Sequence, residues 1–181
     1  HSADSVEKDK IIVYLHFEEM EEIIQLFKPF SNYDFYVYYP VDEPFDDSNI
    51  HFRPLSRDKF QRDLSDAVGV IANSGFSLSS EAIHLGKKLL TKPVKGQTEQ
   101  EANASGLEEL ELGRVMKELN RDSVEKWLED RIPTPAGYPD AFTDIAEWIG
   151  RGNWDATDEL VEHLWSQTNH MPSFEPKPSI Q

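Results

Sequence analysis

Asn73, Ser74, Gly75 and Ser77 put an amide, two hydroxyls and a position without a side chain within five residues. They follow the apolar run Val68–Ala72 and precede the apolar-periodic positions Ala82, Ile83 and Leu85. The run reads as a buried strand and the periodic positions as a helix from about Ser79 to Leu85. A small-residue turn between two such elements leaves backbone N–H groups unpaired at the positive end of a helix dipole, which suits a phosphate. An ordinary capped turn has the same composition, so the turn alone does not establish a ligand. Glu81 adds a carboxylate near that helix start. The dipole favours it there, and its two oxygens could equally accept from the vicinal hydroxyls of a ribose.

A second polar cluster, Gly96-Gln-Thr-Glu-Gln-Glu-Ala-Asn-Ala104, stands about twenty residues on at another expected helix start. Glu99 and Gln100 lie four and three residues before Asn103, so all three share one polar face. Carboxylate and amide groups together supply the acceptors and donors that read sugar hydroxyls; a solvated surface has the same residues. Thr98 and Glu101 have the spacing of a capping box. Two clusters at successive strand-to-helix turns describe a nucleotide-sugar pocket better than either describes it alone.

Other chemistries find less support. The chain has no G-x-G-x-x-G and no G-K-[ST], so neither a dinucleotide fingerprint nor a P-loop is present. With no cysteine, disulfides, thiolate metal sites and thiol nucleophiles are excluded. The six histidines have no metal-ligand spacing, although His16, after the first expected strand, could reach the pocket. A net charge of −16 argues against nucleic acid and against an anionic membrane surface. No apolar run is long enough for a transmembrane helix, and the expected location is cytoplasmic.

The elements that must position these residues follow from periodicity. Ile11–Leu15, Asp34–Tyr39, Ile50–Leu55, Val68–Ala72, Lys88–Val94 and the short Arg114–Met116 read as strands. Helices are expected over Glu18–Phe30, Arg57–Ala67 with Ser56 as cap, Ser79–Leu85, Glu99–Leu110, and from the Asp122-x-x-Glu125 box through Asp130. Val41–Asn49 reads as an acidic turn. Strands alternating with helices at these intervals imply an α/β, Rossmann-like, doubly wound and mostly parallel six-stranded sheet with helices on both faces. Both polar clusters then sit at the carboxyl edge, where such sheets bind ligands.

Residues 1–10 read as a linker or expression remnant, 11–132 as the ligand-binding domain, 133–170 as a helical extension and 171–181 as a tail. The extension holds two amphipathic helices, Ala141–Ile149 and Ala156–Ser166, bearing Trp148, Leu160, Leu164 and Trp165. A start without methionine that leads directly into a strand suggests a piece of a longer protein.

Residues 68–113 resemble the C-terminal, donor-binding half of GT-B-fold glycosyltransferases, in the branch of the cell-wall N-acetylglucosaminyltransferases and UDP-glycosyltransferases. The resemblance rests on Gly75-Phe-Ser-Leu-Ser-Ser-Glu81, Leu85-Gly86-Lys87, Pro93, Gly96-Gln97, Glu99-Gln100 and Asn103-Ala104. It implies that Asn73, Ser74, Gly75, Phe76 and Ser77 hold the nucleotide phosphates, that Glu81 binds the ribose, and that Glu99, Gln100 and Asn103 face the donor sugar. Two positions depart from the pattern. Asn73 stands where many relatives have histidine, and Leu78 where several have a hydroxyl, which shifts phosphate contact toward the backbone.

The implied reaction is transfer of a sugar from a nucleotide-diphosphate sugar, UDP-linked in this branch, to an acceptor, without metal or cofactor. The acceptor site and catalytic base belong, by the same resemblance, to an N-terminal half-domain that the chain lacks. The chain alone is therefore expected to bind donor weakly and to be inactive. Two alternatives stay open: a non-catalytic nucleotide-sugar or partner-docking module, and a sugar epimerase of the related two-domain fold, which would need a histidine and acids at the cleft.

Overall fold

Ile11, Ile12 and Val13 are all fully buried, yet Ile12 packs in a different cluster from its two neighbours. Successive side chains of a strand leave opposite faces of its sheet, so a strand apolar at every position needs cover on both sides. The computed structural model, which describes residues 8–133, 135, 139–152, 154–155 and 157–167, supplies that cover.

In chain order, β1 (Asp9–Tyr14), α1 (Met20–Phe27), β2 (Tyr33–Tyr38), β3 (Phe45–Asp47), β4 (Ile50–Arg53) and α2 (Arg57–Asp66) form the first part. β5 (Gly69–Asn73), α3 (Phe76–His84), β6 (Lys88–Lys92), α4 (Thr98–Glu109), β7 (Arg114–Val115) and α5 (Arg121–Leu128) follow. The strands make one seven-stranded sheet in the order β3-β4-β2-β1-β5-β6-β7. Every neighbouring pair is parallel except β3 with β4. One face is packed by Ile23, Leu26 and Phe27 of α1 and Val124, Trp127 and Leu128 of α5. The other is packed by Leu64 of α2, Ala82 of α3 and Leu107 of α4. This is the doubly wound arrangement expected from the sequence, with one strand more.

The added strand lies within the supposed acidic turn. Phe45 stacks on Phe52 of β4, ring centroids 4.7 Å apart. Asp46 accepts from Arg53 at 2.8 Å and meets His51 at 2.9 Å. Those two partners, Arg53 first, hold its carboxyl below the usual carboxylate range. Asp46 is thus held by cross-strand partners that periodicity cannot reveal.

Helix starts also differ from expectation. α3 begins at Phe76, three residues earlier, because Leu78 and Ser79 already belong to its inward stripe with Ala82 and Ile83. At α4 the cap position is Gln97, not Thr98, and Glu101 Oε1 instead accepts from the Gly96 N–H at 3.2 Å. At α5 the cap is Asn120, whose Oδ1 accepts from Ser123 N at 2.8 Å, so the Asp122–Glu125 box is not used. Ser56 sits at the N-cap of α2 but its hydroxyl makes no capping bond.

The chain divides into two compact units, His1–Pro135 and Ala136–Gln181. The second contains α6 (Ala141–Arg151) and α7 (Thr157–Ser166). Asp140 caps α6 through Thr143 N at 3.3 Å, and Gly152 ends it in a left-handed conformation that favours glycine. The expected tail 171–181 and most of the expected linker 1–10 lie outside the described residues, while Asp9 and Lys10 are part of β1.

Candidate functional site at the β1–β5 switch point

From β1 the chain builds outward through β2 to β4; it then returns to place β5 on the other side of β1 and continues to β6 and β7. The winding reverses between β1 and β5. In a parallel sheet the loops leaving two such strands part to opposite faces and open a crevice at their carboxyl ends. Tyr14 is level with Ala72, so Leu15–Glu18 and Asn73–Gly75 are the segments that border this crevice.

Asn73 ends β5 and is 6% exposed. Its Nδ2 donates to the Lys92 carbonyl at 3.0 Å, and its Oδ1 is buried without a partner. Ser74 is fully buried and its Oγ also has no partner. Its carbonyl accepts from Asn103 Nδ2 at 3.0 Å. That bond ties α4 to the turn between β5 and α3, joining the two polar clusters read from the sequence.

Gly75 is the N-cap of α3 with φ −70° and ψ 139°, a conformation open to any residue. A Cβ built on it meets nothing within 4 Å. The glycine therefore leaves open space over the backbone, not a strained turn. Its carbonyl accepts from Ser79 N at 3.3 Å and Ser79 Oγ at 2.8 Å. The backbone N–H groups of Phe76, Ser77 and Leu78 find no acceptor among the described residues. Three amides at the positive end of a nine-residue helix thus stand without an acceptor among the described residues. Phe76, first in the helix, is 69% exposed, and Ser77 is exposed as well.

The remaining expected residues are less tightly assembled. Glu81 is exposed and makes no hydrogen bond or ion pair among the described residues. Because α3 starts at Phe76, Glu81 stands in its second turn, where the dipole favours a carboxylate less than the expected first-turn position would. Glu99, second in α4, is exposed. Gln100 is committed at both ends: Oε1 accepts from Val94 N at 3.0 Å and Nε2 donates to Gln97 Oε1 at 2.9 Å. It fastens the loop between β6 and α4.

The site is an open edge. Two cavities, of about 580 and 590 Å³, lie elsewhere. One is between β6, β7 and α5, around Trp127 and the Arg114–Asp130 pair; the other is between β4 and α2, around Tyr38 and Asp63. Asp46, Lys88 and Asp130, whose pKa values are displaced, also lie away from this edge, whereas Tyr39, its hydroxyl pushed up by burial, donates to the Glu18 carbonyl at 2.9 Å. No group of three or more metal-ligating side chains occurs among the described residues.

The sequence reading missed Glu18 and Lys92. Lys92 Nζ meets Glu18 Oε1 at 2.6 Å, and both side chains are 13% exposed. Their separation of 74 positions carries no sequence signal, and only the strand order β1-β5-β6 brings them together. His16 does stand at this edge, its ring 4.2 Å from that of Phe17 and its Nδ1 buried without a partner.

Residues 1–133 match the model of glycosyl transferase family 1. The chain belongs to this family. Among solved structures it is similar to the glycotransferase of kitacinnamycin, at 16% identity and a TM-score of 0.57 over 72% of this chain and 37% of that one. It is also similar to CalG4, the calicheamicin glycosyltransferase, at 21% identity and a TM-score of 0.55 over 70% of this chain and 35% of that one. SnogD from Streptomyces nogalater matches at 14% identity and a TM-score of 0.55, over 70% of this chain and 35% of its own. These likenesses are of fold, and they confirm a Rossmann-like GT-B domain. The chain spans little more than a third of the length of these structures. No curated protein sequence matches it. No described helix is long and apolar enough to cross a membrane.

Proposed function

We propose that this chain is the donor-binding half of a glycosyltransferase and that the β1–β5 switch point receives a nucleotide-diphosphate sugar, UDP-linked by the family resemblance. The observation that carries the reading is the set of backbone N–H groups of Phe76, Ser77 and Leu78 that find no acceptor among the described residues, at a helix start where Gly75 leaves open space. Donors at an open position, with no acceptor among the described residues, match the oxygens of a diphosphate. They would also stabilise the charge that grows on the leaving diphosphate during transfer.

Glu81, one and a half turns into α3 from the amides, accepts from the ribose hydroxyls. Glu99 reads the sugar, and Gln100 holds the loop from which α4 presents it. Asn103 keeps α4 and the phosphate turn in register. The acceptor site and the general base are supplied by a partner half-domain, so the isolated chain binds donor and does not turn it over.

A thermal-shift panel of UDP, GDP, dTDP and their sugar conjugates tests this. One nucleoside diphosphate should raise the melting temperature, by an amount that grows with ligand concentration as binding linkage requires. Indifference to every nucleotide at millimolar concentration would end the donor reading. Turnover of a nucleotide-sugar by the isolated chain on a supplied acceptor would end the half-enzyme reading.

A further inference from the structure

A protein with a net charge of −16 must bring a polyanion to its surface. Free amides and one hydroxyl supply partial charges only, so the location of full cations at the switch point matters. Lys95 is exposed on the loop after β6. Lys92, at the end of β6, is held in place.

Lys92 is level with Asn73 in the β5–β6 ladder, and its carbonyl takes the Asn73 amide. Its ammonium does not stay over its own strand. It meets Glu18, in the loop leaving β1, and β5 lies between β1 and β6. Neighbouring strands are about 4.8 Å apart, so the pair closes a gap of roughly 10 Å. It spans the end of β5 at the level of Asn73, the strand end where Asn73 Oδ1 and Ser74 Oγ have no partner among the described residues. Glu18 is anchored in turn, its N–H donating to Leu15 O at 3.0 Å and its carbonyl accepting from Tyr39 Oη at 2.9 Å. An ammonium has three donors. Glu18 uses one, and the other two meet no acceptor among the described residues.

We propose that the Lys92 ammonium is the cation that meets the donor's diphosphate, with Glu18 as the residue that positions it across the end of β5. The inference rests on the donor reading above and adds to it the full charge that backbone amides lack. A nearly buried ion pair keeps the ammonium in one place, so little ordering is required when the ligand arrives. Because the contact is to phosphate, it adds affinity for a diphosphate and none for the nucleoside alone.

The test measures binding of uridine, guanosine and thymidine and of their diphosphates to the 181-residue chain by calorimetry or NMR titration. The proteins compared are the parent, Lys92→Met, and the double variant Lys92→Met/Glu18→Gln. The double variant is included because Lys92→Met leaves Glu18 buried and uncompensated, which can unfold the protein; removing both charges avoids that. The expected result is a diphosphate affinity at least roughly tenfold weaker in the double variant, the scale of a lost hydrogen bond to a charged group. Nucleoside affinity stays at the parent value. Undiminished diphosphate affinity would overturn the assignment, as would an equal loss for nucleoside and diphosphate. If the parent binds no diphosphate, the donor reading falls and this inference falls with it.

Discussion

Asn103→Ala tests the joint on which the site depends. In the parent the Asn103 amide donates to the Ser74 carbonyl at 3.0 Å, and Ser74 is fully buried. No other described donor reaches that carbonyl. Truncation to alanine therefore removes one bond and strands a buried acceptor, a cost of about 1–3 kcal/mol. With a urea dependence of about 1–3 kcal/mol per molar for a small protein, the unfolding midpoint should fall by on the order of 1 M. Asn103→Asp is the sharper variant. An ionised carboxylate only accepts, so it faces the Ser74 carbonyl with like partial charge and lies beside the proposed diphosphate position. It should cost more than alanine at neutral pH. In acid, where the carboxyl protonates and can donate, the aspartate variant should recover relative to the alanine variant. Urea melts followed by circular dichroism read the first effect, and nucleoside diphosphate titrations read the second as weaker binding in both variants. An alanine variant with the parent midpoint, or an aspartate variant as stable as asparagine at neutral pH, would refute the proposed joint between α4 and the phosphate turn.

Three further outcomes are expected. Glu81→Ala should weaken nucleoside diphosphate binding about tenfold to a hundredfold, the range for lost bonds to a charged acceptor, while the melting temperature without ligand stays unchanged because Glu81 is exposed; calorimetry decides, and equal affinity would remove the ribose assignment. Gly69→Ala should destabilise by about 1–3 kcal/mol, since the added Cβ would sit 2.7 Å from the Trp127 ring under the sheet, and a parent-like denaturation midpoint would count against that packing. Arg114 hydrogen-bonds Asp130 and holds its carboxyl below the usual range, so the pair contributes stability above the ordinary carboxylate pKa and loses it as pH falls through the lowered value. Arg114→Ala should accordingly cost under about 1 kcal/mol at neutral pH, the pair being half exposed, and nothing in strong acid; a gap independent of pH would contradict the linkage.

Much of this was legible in the sequence because it depends on local periodicity. Ile11–Val13, Val68–Ala72 and Lys88–Leu90 are apolar at nearly every position, which only strands covered on both faces tolerate. Their alternation with helices dictated a parallel, doubly wound sheet. The small residues of Asn73–Ser77 marked a strand-to-helix turn with free amides, and the structure has one. The same local signals failed where a longer-range partner decided. Asp46 and Asp47 looked like turn residues because their partners, Arg53 and His51 for the first and Lys28 for the second, are distant or across a hairpin. Gln100 is bound by nearer partners that its spacing from Asn103 did not show: Val94 N donates to its Oε1 and Gln97 Oε1 accepts from its Nε2.

By itself the sequence determined the kind of sheet, since that follows from the order and apolar pattern of single elements. The tertiary structure alone decided which strands are neighbours. β1 and β5 are separated along the chain by three strands and two helices, yet they lie side by side at the point where the winding reverses. The order β1-β5-β6 brings Glu18 to Lys92, and it sets α4, which follows β6, against Ser74 at the end of β5. Strand order is set by how the whole set of buried faces packs, a cooperative property that no spacing between residues records.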